Sequence, residues 1–154
     1  PYIGGEEDKL ELEPLKILGC CQDGGVQPSA IRISAQCNRV ATRDGHLETV
    51  SIEFENKPDE AEIISAFERF RGVPQQLRLP TAPERPTVYR RERDRPQVKL
   101  DRDTEKGMAT VIGRLRKCGV LDFKFVLLGH NTLRGAAGGT LLNAELLAAR
   151  GMIG

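Results

Sequence analysis

An Asp-Gly pair between two alternating segments is the feature that most constrains the fold of this chain. Residues 30–40, AIRISAQCNRV, alternate apolar and polar side chains, and residues 46–54, HLETVSIEF, do the same. Alternation with a period of two is typical of a half-buried strand. Asp44 and Gly45 both tolerate the positive φ angles of a type I′ turn. The pattern therefore predicts an antiparallel β-hairpin over residues 30–54.

The segments that follow predict a mixture of helices and strands. Residues 56–72, NKPDEAEIISAFERFRG, predict a helix with Pro58 in its first turn, acidic residues first, arginines last and Gly72 to end it. Two strands over residues 109–117 and 122–129 and a helix over 132–149 come next. Because strands and helices do not alternate regularly, we expect an α+β domain, with helices packed on one face of a mixed, largely antiparallel β-sheet.

Two segments give less regular patterns. Residues 6–18 are acidic and helix-prone, but Pro14 interrupts them, which favours a helix that starts near residue 13 over one continuous helix. Residues 74–106 are rich in proline, and residues 89–103 carry six basic and four acidic side chains. The modest basic excess favours a solvated, extended arm that crosses the domain or a neighbouring subunit over a nucleic-acid-binding segment.

Composition excludes several classes of protein. With 154 residues, 39% of them hydrophobic, the chain can bury the core of one compact domain. Its net charge of +1 provides no overall field toward nucleic acid or an anionic membrane. The apolar runs are too short to span a bilayer, and the first residues lack the pattern of a targeting segment. We therefore expect a cytoplasmic protein that binds neither nucleic acid nor membranes.

The cysteines do not predict a metal site or a nucleophile. The four of them show no C-x-x-C spacing, and only two histidines could complement them as ligands. Cys20 and Cys21 lie between a helix-prone segment and a Gly-rich turn without an obvious neighbouring base, so they are interpreted as ordinary thiols. Cys37 alternates with apolar residues and is interpreted as a core residue.

Arg39 and His46 are the first candidates for chemistry. In the predicted hairpin Arg39 faces Val50, which places it on the same face as His46 at roughly 13 Å between Cα atoms. An arginine offers paired donors to a carboxylate or phosphate, and a histidine exchanges protons near neutral pH. The two side chains could therefore line a small-molecule site, or they could be exposed residues without a catalytic role.

Two further segments have both a structural and a functional interpretation. Glu6 and Lys9 are one helical turn apart, which suits a helical ion pair or an anion site with an orienting carboxylate. In the segment GHNTLRGAAGG, Asn131 or Thr132 can cap the helix that follows. The small residues of this segment permit close approach by a cofactor or by a packed element of the protein, although the segment is not a dinucleotide-binding loop.

Six segments, in order along almost the whole chain, resemble the aspartate-β-semialdehyde dehydrogenases of the archaeal and fungal type. They are PYIGGEEDKLELEPLKILG, ISAQCNRVATRDGHLETVSIEF, LPTAPERP, DRPQVKLDRD, GRLRKCGVLDFKFVLLGHN and TLRGAAGGTLLNAELL. The resemblance is to the C-terminal catalytic and dimerisation domain of that family. It implies that residues 1–154 form this domain, and that the NADP-binding Rossmann domain with the nucleophilic cysteine belongs to a preceding segment that this chain does not contain.

The resemblance also implies an activity and residue roles. The complete enzyme would convert β-aspartyl phosphate to aspartate semialdehyde and phosphate through a cysteine thioester, with NADP as cofactor, in lysine, threonine and methionine biosynthesis. His46 would be the acid-base catalyst and Arg39 would bind the substrate carboxylate. Glu6 and Lys9 would orient the substrate and bind its phosphate, and Asn131 would lie beside the nicotinamide. The charged arm and the exposed sheet would build a homodimer or tetramer.

Two alternatives remain open at this point. A paralogue on the same scaffold could reduce malonyl-CoA or succinyl-CoA, with coenzyme A in place of the phosphate at Lys9. A stand-alone dimerisation module would bind neither NADP nor aspartate semialdehyde. None of the four cysteines lies in the context of the family's nucleophile, so no nucleophile is assigned to this chain, which alone is expected to be inactive.

Overall fold

The first of two compact units is Pro1–Ala41. The computed structural model describes residues 1–153, and the second unit begins at Thr42. Helix α1, Glu6–Ile17, carries three acidic residues in its first turn, where the helix dipole favours negative charge. Strands β1, Cys20–Gln22, and β2, Gly25–Gln27, form an antiparallel hairpin.

Pro14 does not divide α1, so the prediction of a helix that starts near residue 13 is wrong. The helix runs continuously from Glu6 to Ile17 with Pro14 inside it. A proline in a helix loses one backbone hydrogen bond, but the helix continues through it and also contacts a later segment of the chain. The carboxylates of Glu7 and Glu11 accept the backbone N–H groups of Cys37 and Ala35 at 2.7 and 2.8 Å.

These same contacts show that the predicted hairpin over residues 30–54 is wrong. Residues 28–40 contain no strand, although the alternate residues Ile33, Ala35 and Cys37 are half-buried. The alternation indicates an extended segment with one covered face. It does not indicate which element of the protein covers that face. Here carboxylates of α1, rather than a neighbouring strand, satisfy backbone N–H groups. The separation of roughly 13 Å between the Cα atoms of Arg39 and His46 was derived from that hairpin, so it no longer follows.

The second unit is built on a four-stranded mixed sheet. Its strands are β3, His46–Ile52; β4, Thr87–Arg90; β5, Thr110–Lys117; and β6, Phe123–Gly129, in the order β3-β6-β5-β4. β6 pairs antiparallel with both β3 and β5, and β4 pairs parallel with β5. The strands predicted over residues 109–117 and 122–129 are confirmed, and so is the α+β class with a largely antiparallel sheet.

Helix α2, Glu60–Arg69, packs on this sheet. Ile63 of the helix joins Leu115 and Phe123 in a buried cluster, and further apolar side chains of α2 and the sheet surround it. Asp59 caps the helix and forms a capping box with Glu62. The predicted helix is confirmed, although Pro58 precedes the cap and Gly72 lies beyond the helix end.

Replacing Asp59 with alanine should lower the free energy of unfolding by about 1 kcal/mol, because the first turn of α2 loses its side-chain cap. The Asp59 carboxylate accepts the backbone N–H of Glu62 at 2.8 Å, and the Glu62 carboxylate accepts that of Asp59 at 2.8 Å. Urea unfolding measures the change. Glu55→Ala, which removes an exposed carboxylate outside the helix, is the matched control, and equal losses in the two variants would contradict the cap.

The predicted solvated arm over residues 74–106 is wrong. The segment folds into α3, Val73–Gln76, strand β4, α4, Val98–Asp101, and a 3-10 turn, Thr104–Gly107. Asp101 is fully buried. It pairs with Arg95 and Arg90, and the backbone N–H of Gln97 also donates to it. Charges that compensate one another inside the fold are indistinguishable in sequence from a solvated, charge-mixed arm.

The last helix begins with a π-helical turn. This turn spans Leu133–Ala137, and α5, Gly138–Ala149, continues from it. A Cβ at Gly138 would collide with the sulfur of Met108, so a packed element explains the small residue at this position. Leu142 of α5, Met108 and Leu79 form a second buried cluster. No helix among residues 1–153 is long and apolar enough to cross a membrane.

Candidate active site

His46 is the first residue of the edge strand β3, and its side chain is exposed. Along β3, alternate residues share a face, and Ile52 on the face of His46 packs into the cluster beneath α2. His46 is thus at the opposite end of the same sheet face, where it pairs with Gly129 of β6. Since glycine has no side chain, the imidazole is not covered from the directly opposite position.

The turn that leads into His46 has positive φ angles, as its Asp-Gly pair predicts. Asp44 has φ 43° and Gly45 has φ 117°. Asn131 follows β6 by two residues, and its Oδ1 accepts the backbone N–H of Gly45 at 2.8 Å. Arg102 donates from Nη1 to the carbonyl oxygen of Arg43. The structure therefore brings Asn131 close to the backbone that carries His46.

Glu48 is a neighbour of His46 that the sequence-based search did not single out. It lies two residues further along β3 on the same face, which the alternating pattern implies. Desolvation raises the pKa of the Glu48 carboxyl, and the charge of the nearby His46 opposes that rise. Arg102 was also missed, because only the folded structure brings it to residue 43.

The predicted substrate-binding residues Glu6, Lys9 and Arg39 all belong to the first unit. Lys9 Nζ lies 3.0 Å from Glu6 Oε1, so the predicted helical pair is present. The hydrogen bond from Lys9 to Glu6 and the negative charge of Glu6 raise the pKa of the Lys9 ammonium. The backbone N–H of Arg39 donates to the carbonyl oxygen of Pro1 at 2.7 Å, and its side chain is exposed. Anion binding by these three residues stays a prediction.

Within the second unit, Cys118 cannot serve His46. Its pKa is lowered because the backbone N–H groups of Val120 and Leu121 donate to the sulfur. Its own N–H bonds to Asp122 in the β5–β6 turn, beside the end of β6 that is remote from Gly129. The pairing of β3 with β6 runs from His46 and Gly129 to Ile52 and Phe123. Its two ends are six residue steps apart, or about 20 Å.

The residues 1–153 that the structure describes contain no group of three or more His, Cys, Asp or Glu side chains able to hold a metal ion. The side chains available for chemistry are therefore the imidazole of His46 and the amide of Asn131 in the second unit, and charged groups in the first unit. The fold defines an α+β domain with a helix packed on a mixed sheet and with His46 exposed on the edge strand.

Comparison with known proteins identifies the family to which this domain belongs. Residues 1–134 match the semialdehyde dehydrogenase dimerisation domain. This match covers most of the chain, so the chain belongs to that family, and the resemblance inferred from its sequence motifs is confirmed.

Individual relatives agree with this assignment. The aspartate-semialdehyde dehydrogenase of Methanothermobacter thermautotrophicus is 48% identical over 149 residues, which are 96% of this chain and 43% of that protein. The enzyme of the same name from Saccharomyces cerevisiae is 41% identical over 160 residues, 99% of this chain and 44% of that protein.

A crystal structure supports the fold. The aspartate semialdehyde dehydrogenase with NADP from Candida albicans matches with a TM-score of 0.90 and 41% identity, over 99% of this chain and 45% of that chain. The chain thus spans less than half the length of these relatives.

Proposed function

We propose that this chain is the C-terminal catalytic and dimerisation domain of an NADP-dependent aspartate-semialdehyde dehydrogenase. The observation that carries the proposal is the match of almost the whole chain to enzymes of that name at 41–48% identity. The relatives are more than twice as long as the matched part. That difference supports an N-terminal Rossmann domain as the source of the nucleophilic cysteine and the main cofactor contacts.

In this proposal His46 is the acid-base catalyst. The complete enzyme forms a thioester between the aspartyl group and the cysteine with release of phosphate, and reduction then yields aspartate semialdehyde. An imidazole can accept the proton of the thiol and return a proton to the carbonyl oxygen as it gains negative charge. The exposed position of His46 at the end of β3 leaves its ring accessible to a substrate.

The first unit would bind the two anionic groups of the substrate. Arg39 presents the paired donors that suit the α-carboxylate. The hydrogen bond and the negative charge of Glu6 raise the pKa of Lys9, and a lysine ammonium is positively charged near neutral pH. The 3.0 Å contact also lets Glu6 orient Lys9. In this proposal, Glu6, Lys9 and Arg39 would select an acyl phosphate as substrate.

The residues of this chain fit only a small part of NADP. Asn131 Oδ1 is occupied by Gly45, which orients the amide and leaves Nδ2 as a donor for the carboxamide of a nicotinamide. Gly138 packs against Met108, so it serves the fold. Bound NADP would supply the hydride chemistry, and this chain would contribute the hydrogen bond at Asn131. The complete protein would be a cytoplasmic homodimer or tetramer.

An activity assay of the complete protein tests the proposal. With aspartate semialdehyde and inorganic phosphate, we expect phosphate-dependent reduction of NADP. With NADPH and malonyl-CoA or succinyl-CoA, we expect no turnover above background, because Lys9 beside Glu6 suits a compact phosphate. Turnover of a CoA thioester but not of aspartate semialdehyde would assign the chain to a reductase paralogue. A stable dimer that neither binds NADP nor turns over either substrate would favour a dimerisation module.

A further inference from the structure

The turn before His46 is held from outside by two side chains. We call residues 43–45 the His46 turn. Asp44 and Gly45 have φ angles of 43° and 117°, which this pair of residues tolerates. Asn131 accepts the N–H of Gly45, and Arg102 donates to the carbonyl of Arg43. These two hydrogen bonds tie the turn before His46 to the rest of the second unit.

Arg102 is attached to a rigid part of the fold. It directly follows Asp101, whose side chain is fully buried. Arg95 Nε donates to Asp101 Oδ2 at 2.6 Å, and the N–H of Gln97 donates to the same oxygen at 2.8 Å. The side chain of Arg102 is itself only 23% exposed. These contacts fix the end of α4 from which Arg102 extends.

α4 also contacts the His46 turn through an apolar side chain. A Cβ at Gly45 would lie 3.1 Å from Val98 Cγ1 and 3.3 Å from Leu128 Cδ1. Gly45 is consequently buried between α4 and β6. Arg102 adds a hydrogen bond to this packing, and its guanidinium holds the carbonyl group of Arg43 in position.

The position of His46 in the sheet gives its ring little support from neighbouring strands. β3 is the edge strand of its sheet and pairs only with β6. On the face of the imidazole, the residue directly opposite is Gly129, which offers no side chain to pack against. The path of the backbone that enters the strand therefore contributes to the position of the ring.

We propose that Arg102 is a positioning residue for His46, because its guanidinium, held by α4, fixes the His46 turn and thereby the imidazole. The inference rests on the catalytic role proposed for His46. Proton exchange requires the ring within hydrogen-bond reach of the reacting atom. Arg102 bonds to the turn before His46, and the proposed substrate-binding residues belong to the first unit, so substrate binding should be much less sensitive to the loss of Arg102 than kcat.

Kinetics of Arg102 variants in the complete enzyme test this role. Arg102→Met removes the donors and keeps the apolar stem, and it should lower kcat about 10- to 100-fold, the effect of a misplacement near 1 Å. KM for aspartate semialdehyde should stay within about twofold. Arg102→Lys keeps one donor and should recover part of kcat. Arg91→Met, which breaks an exposed pair with Glu68 at 2.8 Å, is the matched control and should change neither constant.

Hydrogen exchange provides a readout that does not depend on activity. In Arg102→Met the peptide spanning residues 43–47 should exchange faster, because the bond from Gly45 to Asn131 opens more often. β5 and α2 should keep wild-type exchange. If Arg102→Met does not fold, Arg102→Lys carries the same test with a smaller expected increase.

The outcomes separate this inference from the proposed function. Wild-type kcat and wild-type exchange in the Arg102 variants would overturn the positioning role, and so would a rise in KM at constant kcat. If the wild-type protein does not turn over aspartate semialdehyde, the proposed function fails. Faster exchange confined to residues 43–47 would then still support the contact of Arg102 with the turn, and unchanged exchange would refute it.

Discussion

Replacing His46 with asparagine in the complete protein should lower kcat for aspartate semialdehyde by about 100- to 10,000-fold, the usual contribution of a general acid-base group. Asparagine keeps a polar side chain at the start of β3 and cannot exchange a proton near neutral pH. The His46 side chain is exposed and faces Gly129 across the ladder. The substitution should therefore leave the fold and the free energy of unfolding nearly unchanged.

The control for this prediction lies on the same strand. Thr49 is also exposed on β3, and Thr49→Ala disturbs the edge of the sheet without removing a titratable group. It should retain wild-type kcat. Circular dichroism and thermal unfolding of both variants would show whether a loss of activity comes from unfolding. A kcat for His46→Asn within severalfold of wild type, in a folded protein, would rule out His46 as the acid-base catalyst.

Replacing Asp101 should have the largest effect on stability. In Asp101→Ala the free energy of unfolding should fall by about 3–5 kcal/mol, the usual cost of removing one partner from a buried ion pair. The substitution leaves Arg95 and Arg90, with side chains only 19% and 32% exposed, without their common counter-charge. Asp101→Asn keeps the shape and removes the charge, and it should lose less.

The dependence of this effect on pH has a definite sign. Burial disfavours ionisation of Asp101, but hydrogen bonds from Arg95 and Gln97 and the charges of Arg95 and Arg90 outweigh it, so the pKa lies below its ordinary value. A lowered pKa in the folded state contributes stability above the pKa of the unfolded state. This stability is lost as the pH falls through the folded-state pKa. The difference in unfolding free energy between wild type and Asp101→Asn should accordingly shrink in acid.

Urea unfolding at a series of pH values measures both effects. Glu68→Ala is a matched control, because Glu68 pairs with Arg91 at 2.8 Å on the surface, with side chains 44% and 69% exposed. A surface pair contributes only about 0–1 kcal/mol. If Asp101→Ala cost no more than Glu68→Ala, or if the stability of Asp101→Asn followed that of wild type at every pH, the buried network would not be a main support of this unit.

The turn before His46 and the buried network around Asp101 are linked through α4. Asp101 anchors the helix end, and Arg102 extends from it to the carbonyl of Arg43. A network that looks purely structural therefore also supports the turn of the proposed catalytic residue.

Some elements could be predicted from sequence because local pattern decides them. α2 has a cap, an acidic start and an apolar face, and β5 and β6 are bounded runs rich in β-branched and aromatic residues. Asp44 and Gly45 adopt the expected positive φ angles, because aspartate and glycine accept them more readily than most residues. The same local reasoning gave a wrong start for α1, because the helix continues through Pro14 although a proline there costs a backbone hydrogen bond.

Some residues of the candidate site could also be predicted from sequence, and others could not. Sequence motifs singled out His46 and Asn131, and the pairing of β3 with β6 brings Asn131 to the turn before His46. Glu48 could have been found from the alternation of β3. Arg102 could not, because it is 59 residues from Arg43 in the chain and carries no local signal.

The amino-acid sequence by itself determined the α+β class, the principal helices and strands of the second unit, and the family to which the chain belongs. Periodicity and turn chemistry are local properties that survive without a partner. Only the tertiary structure decided that β3 pairs with β6, that Asp101 is buried between two arginines, and that Arg102 reaches the His46 turn. Strand pairing and ion-pair burial depend on which distant surfaces meet, and an alternating pattern is compatible with more than one partner.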